Sequence, residues 1–256
     1  MSTIGAPEGW LDDFSHDGPV DNENSKVGVI FVHGFTGSPA SMRPWAHYFV
    51  DRGFTVRVVR LPGHGRTWQE LNKVEWKEWP ARVARDLAEL RKKCSKVFIF
   101  GLSMGGCTTL NVAEHFPVDG IVLVNPMIHI PGIAIKFAPI ISRLVKGLPG
   151  VGDDIKKPGA TEWAYGKLPT KGVMQLNKLL AITRAGLRYV TAPTLLFHST
   201  EDHTLPVSNT EIIMAGLINA PKERIELTNS YHVATMDFDA EVIFESSLEF
   251  VARNRA

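Results

Sequence analysis

Short apolar runs recur along the chain, each followed by glycine or by a polar stretch. VGVIFVH (27–33), FTVRVVR (54–60), VFIF (97–100), GIVLVN (120–125) and PTLLFHS (193–199) are rich in β-branched and aromatic residues. Runs this short, bounded in this way, predict buried strands. RIELTN (224–229) predicts one more. Between them the spacing turns helical. SMRPWAHYFVDRG predicts a helix that Gly53 closes, and Val83, Leu87 and Leu90 share one face of a helix over 76–93. CTTLNVAEHF predicts another, directly behind the strand at 97–100. Strands alternating with helices imply an α/β fold, with a mostly parallel central sheet and helices on both faces. Ligands of such sheets bind at the carboxyl ends of the strands.

This rhythm breaks between Pro126 and Tyr189, where no strand pattern appears. So long a segment reads as a small helical cap inserted into the sheet domain. The predicted organisation is an N-terminal extension (1–26), a core (27–125 and 190–256) and a cap or lid (126–189). Within the cap, PMIHIPGIAIKFAPIISRLVKGLP is strongly apolar. A helix over 133–148 would put Lys136, Arg143 and Lys146 on one side, with Pro139 kinking it. Two readings stand: a lid that faces an acyl channel and rests transiently on lipid surfaces, or ordinary packing onto the core.

Composition narrows the function classes. Lys and Arg number 28 against 27 for Asp and Glu, with no clustered basic excess, so nucleic acid is not an expected partner. Two cysteines, Cys94 and Cys107, without a CxxC exclude a disulfide framework and suit a reducing compartment. Nine histidines without HExxH or paired spacing indicate no metal. The polar, acidic N-terminus is no secretory signal, and no apolar run of membrane-spanning length occurs. The expected location is cytoplasmic, with peripheral membrane contact left to the cap. Oligomeric state stays open.

Gly101-Leu102-Ser103-Met104-Gly105 matches G-x-S-x-G, with a strand before it and a helix after. A serine hydroxyl becomes a nucleophile only when a base takes its proton and an acid orients that base. In this architecture the chain order is serine, acid, histidine. PTLLFHS runs into Glu201, Asp202 and His203, and RIELTN runs into Tyr231 and His232. Asp202 and His232 complete the order on the same sheet edge as Ser103. Asp237 is an alternative acid, and His203 an alternative base that shares the acid's loop. Glu201 reads as a surface charge and His198 as a core residue of its strand. An oxyanion needs donors, and the N–H groups of Met104 and, in the HGFTGS loop (33–38), of Phe35 are nominated. His33 reads as a hydrogen-bonder that holds this loop, and Pro62-Gly63-His64-Gly65 as a turn. Neither GFTGSP nor GLSMGG fits a nucleotide loop, so no cofactor is expected.

Taken together, HGFTGS, LPGHG, GLSMGG, Asp202 and His232 resemble the α/β-hydrolase superfamily, and more narrowly its bacterial monoacylglycerol lipases and related small carboxylesterases. The resemblance runs from about Val27 and includes the separations of 99 and 30 residues between Ser103, Asp202 and His232. It also includes the cap segment TEWAYGKLP. It implies Ser103 as nucleophile, His232 as base, Asp202 as its acid, and Phe35 and Met104 as oxyanion donors. It implies further that Glu162 lies near a glycerol head group. The implied reaction is hydrolysis of a single-chain lipid or other ester through an acyl-enzyme. A carboxylesterase of short simple esters, a thioesterase and a non-turnover receptor are the alternatives.

Overall fold

The computed structural model describes residues 5–130, 145–150 and 152–255. Its strands are β1 (Phe14–His16), β2 (Val27–Val32), β3 (Thr55–Val59), β4 (Lys96–Leu102) and β5 (Gly120–Val124), then β6 (Gly147–Pro149), β7 (Lys167–Pro169), β8 (Thr194–Ser199) and β9 (Lys222–Leu227). The helices are α1 (Arg43–Val50), α2 (Trp68–Leu71), α3 (Glu78–Leu90), α4 (Met104–His115), α5 (Thr170–Gly186), α6 (Ser208–Gly216) and α7 (Ala240–Asn254).

Seven strands form one sheet in the order β1-β3-β2-β4-β5-β8-β9, parallel except at β1. Both faces of the central strands are covered, which is why their sequences are continuously apolar rather than alternating. Successive residues still point to opposite faces. Val29, Phe31, Phe98 and Phe100 meet Trp45 and Phe49 of α1 and Phe250 of α7. Ile30, Val32 and Ile99 meet Trp79 and Val83 of α3 and Leu110 of α4. Phe100 stacks on Trp45 at 4.8 Å and meets Phe31 edge-on at 5.2 Å. Each such buried side chain contributes about 1.5–3 kcal/mol, so the sheet is a rigid base for whatever its strand ends carry.

The segment before residue 27 does more than the sequence pattern indicates. Its three-residue strand pairs antiparallel with β3, Phe14 opposite Val58 and His16 opposite Val56. Buried Arg43 donates to the carbonyls of Gly9 and Asp12 and lies 4.5 Å from the Phe14 ring centroid. In the cap, where no strand is expected from sequence, β6 and β7 pair antiparallel. Strands of three residues are too short for a period of two to register. Residues 131–144, which hold Lys136, Pro139 and Arg143 and most of the expected lid helix, lie outside the described residues. No helix among the described residues is long and apolar enough to cross a membrane.

Candidate active site

Ser103 occupies the turn between β4 and α4 with φ of +55°. A non-glycine residue in this region costs roughly 1–3 kcal/mol and persists only where its surroundings hold it. Here the Ser103 N–H donates to the Val124 carbonyl at 3.0 Å, and the Ser103 carbonyl accepts from Gly106 at 3.0 Å and Met127 at 3.1 Å. The strain therefore sits on the serine, and the glycines around it serve close approach. A Cβ on Gly105 would stand 2.0 Å from the Val32 carbonyl oxygen, and one on Gly101 2.5 Å from the backbone of Gly105. One on Gly106 would meet Pro126 at 2.8 Å. The tight packing of α4 against β2, β4 and the Pro126 turn after β5 demands all three.

The 33–38 loop lies against this elbow, since a Cβ on Gly34 would be 3.3 Å from that of Ser103. His33 holds the loop as the sequence suggests. Its Nδ1–H donates to the Gly34 carbonyl at 2.9 Å and its Nε2 accepts from the Leu61 N–H at 3.2 Å. Burial pushes its pKa down to about 4, so the imidazole is neutral, as that bonding pattern requires. The Phe35 ring packs edge-on against His64 and Trp79. Met104 is fully buried and opens α4, where helical N–H groups lack intrahelical acceptors.

His232 and Asp202 come together. The His232 Nδ1 lies 2.8 Å from Asp202 Oδ2, and the other carboxylate oxygen accepts from the N–H groups of Thr204 and Leu205 at 2.8 and 2.7 Å. Burial alone would raise the Asp202 pKa, but these bonds and the His232 charge outweigh it and hold the carboxyl below its ordinary value. For His232 burial acts downward, and the bond to Asp202 with the charges of Asp202, Glu162 and Asp154 overrides it, so the imidazole pKa is raised.

Ser103, His232, Phe35 and Glu162 line one cavity of about 280 Å³, whose remaining wall includes Met127, Ile130, Val173, Leu176 and Leu205. A polar end and an apolar body suit an ester with a hydrocarbon acyl chain. Glu162 is buried against the 33–38 loop and, among the described residues, accepts one long bond, 3.4 Å, from the Asp153 N–H. Burial pushes its pKa up to about 7, against a downward pull from His232.

Other residues weighed from sequence go elsewhere. His198 is buried beside the Thr210 hydroxyl, and Glu201 pairs with Lys156. His203 is mostly exposed and bonds to Asp154 rather than entering the cavity. Asp237 accepts from the backbone N–H groups of Lys156, Lys157, Tyr231 and Phe238, which makes it a loop anchor. Sequence reasoning missed Asn125 and Asp154. Asn125, at φ +42°, donates to the His232 carbonyl at 2.8 Å and accepts from the Ser199 N–H at 2.8 Å. A lone amide closing the apolar run GIVLVN was the available signal. Asp154, within GDD, carried none.

Comparison with known proteins places these features in context. The family described as Serine aminopeptidase, S33 (Hydrolase_4) matches residues 23–239. A thermostable monoacylglycerol lipase of Bacillus sp. (strain H-257) is 43% identical over 237 residues, 92% of this chain and 94% of that protein. A carboxylesterase of Bacillus subtilis (strain 168) is 25% identical over 88% of this chain and 92% of that protein. The solved structure of a metagenome-derived lipolytic enzyme superposes with a TM-score of 0.89 at 36% identity, covering 95% of this chain and 98% of that one.

Proposed function

The chain belongs to the Hydrolase_4 family of α/β-hydrolases, and from that membership we propose a serine ester hydrolase that cleaves monoacylglycerols through an acyl-enzyme on Ser103. The observation that carries this reading is the buried 2.8 Å contact between His232 and Asp202, set in the cavity that Ser103 also lines. The 43% identity to a monoacylglycerol lipase supports the substrate class.

In the first half-reaction the Ser103 Oγ attacks the ester carbonyl carbon while His232 Nε2 takes its proton. Asp202 keeps the other ring nitrogen protonated and stabilises the imidazolium. The N–H groups of Phe35 and Met104 bind the oxyanion, each typically contributing about 2.7–4 kcal/mol. The carbon–oxygen bond to glycerol then breaks, and the imidazolium returns its proton to the leaving alkoxide. In the second half water attacks the acyl-serine, with His232 again as base, and the fatty acid leaves. No step draws on a cofactor. Glu162, poised near neutrality, can donate to or accept from glycerol hydroxyls. The cap reading (126–189) is supported by the apolar wall that Leu168, Val173 and Leu176 give the cavity. A cytoplasmic setting is supported by two free, buried cysteines, Cys94 and Cys107.

A second reading, a carboxylesterase of short simple esters, has the Bacillus subtilis relative in its favour. A panel of monoacylglycerols and ethyl esters of matched chain length, ranked by kcat/KM, separates the two. Preference for the glyceryl ester by about tenfold or more, the worth of a hydrogen-bonded head group, is the expected result. Preference for short ethyl esters would establish the second reading instead.

A further inference from the structure

One cap carboxylate touches both loops that carry the proposed acid and base. Asp154 Oδ2 accepts from the backbone N–H of His203 at 3.1 Å, the Thr204 hydroxyl at 3.2 Å and the backbone N–H of His232 at 3.3 Å. Its Oδ1 accepts from the His203 Nδ1–H at 2.9 Å, and its own carbonyl accepts from the Val233 N–H at 3.1 Å. The side chain is 14% exposed, and Asp154 lines the cavity. From the sheet side Asn125 holds the His232 carbonyl at 2.8 Å. The backbone of His232 is thus gripped by the cap at its N–H and by the sheet at its C=O. Asp237 extends the seam, joining the N–H groups of Lys156 and Lys157 in the cap to that of Tyr231 beside the histidine.

We propose that Asp154 is a positioning residue: seated on the 203–204 and 232–233 loops, its carboxylate makes the cap, and not the sheet alone, set the place of the His232 imidazole. The inference rests on the assignment of Ser103, Asp202 and His232 given above. Loops without regular structure depend on such bonds for their geometry, and those to an ionised acceptor are the stronger kind. A displacement of about 1 Å in a catalytic group can cost on the order of 10²-fold in rate. The carboxylates whose charges support the His232 imidazolium are Asp202 from the loop after β8, and Glu162 and Asp154 from the cap, with Asp153 beyond Glu162; His203 bonds to Asp154, and Lys156 lies over the Tyr231 ring. Loss of the Asp154 charge therefore also removes support for the imidazolium.

The test uses the full chain with Asp154→Asn and Asp154→Ala, reading kcat and KM on a monoacylglycerol, the pH profile of kcat/KM, and Tm. The expected result is a fall in kcat of roughly 10- to 100-fold, little change in KM, and an acid limb displaced to lower pH. Thr204→Val deletes one donor and keeps the charge, so kcat should fall less and the limb should stay in place. That variant carries the test if the Asp154 variants do not fold. Wild-type kcat in folded variants, or a loss matched by a rise in KM with the limb unmoved, overturns the proposal. Ser103→Ala is assayed alongside. If it remains active, the assignment of the nucleophile has failed; if it is inactive while the Asp154 variants are unaffected, only the positioning role has.

Discussion

At the end of β8, Asp202 accepts bonds from His232, Thr204 and Leu205, and its pKa is held down. Across the cavity in the cap, Glu162 is buried more deeply and, among the described residues, receives one 3.4 Å bond, and its pKa rises to about 7. Burial acts on both carboxyls in the same direction. What differs is the compensation: at Asp202 the bonds and the charge of His232 outweigh burial, whereas at Glu162 the pull of His232 is opposed by Asp153 and Asp154 and burial prevails. Glu114, near the end of α4, is a third case. Its donor is Asn111 at 3.3 Å, and burial pushes its pKa up to about 8.

Substitutions can break or sharpen this contrast. Asp202→Asn should have the largest effect, lowering kcat by on the order of 10⁴, as loss of the orienting carboxylate does in related arrangements. Steady-state assay at saturating monoacylglycerol reads it, and a loss below tenfold would place Asp202 outside the mechanism. Glu162→Gln should act more gently, raising KM for monoacylglycerols by on the order of tenfold while ethyl esters are hydrolysed as before. It should also move the acid limb of kcat/KM to lower pH, because Glu162 helps to raise the His232 pKa. In wild type that limb should lie above the ordinary imidazole value of 6.5.

Glu114→Gln should leave the rate alone and change only the dependence of stability on pH. Folding raises this pKa from 4.5 to about 8, so the native state holds the proton more tightly. Stability then falls as pH rises through that window. Thermal unfolding from pH 5 to 8 should show a shallower decline in the Gln variant. Parallel curves would mean that Glu114 is ionised without penalty.

The same contrast marks how far the sequence could be read. Ser103 and Asp202 are legible because each follows a short apolar strand, and His232 because it follows β9, where Ile225 and Leu227 alternate with charged residues; strand ends are dictated by local pattern. The elbow glycines are legible for a related reason, though their work is close packing of α4 against β2, β4 and Pro126 while Ser103 itself bears the positive φ. Asp154 and Asn125 reach His232 across 78 and 107 residues. No local periodicity encodes such a meeting. Asp237, an alternative acid by sequence, became an anchor because its neighbours are backbone amides of the cap. The strand Phe14–His16 was too short to signal itself, and only pairing with β3 defines it.

The assignment of Ser103 as nucleophile is tested most directly by trapping. The full chain is treated with a long-chain alkyl fluorophosphonate, and the adduct is located by peptide mass mapping. One equivalent is expected on Ser103, with hydrolysis lost in proportion and labelling slowed sharply in His232→Ala. Adduct on another residue, or complete labelling of Ser103 with ester hydrolysis retained, would contradict it.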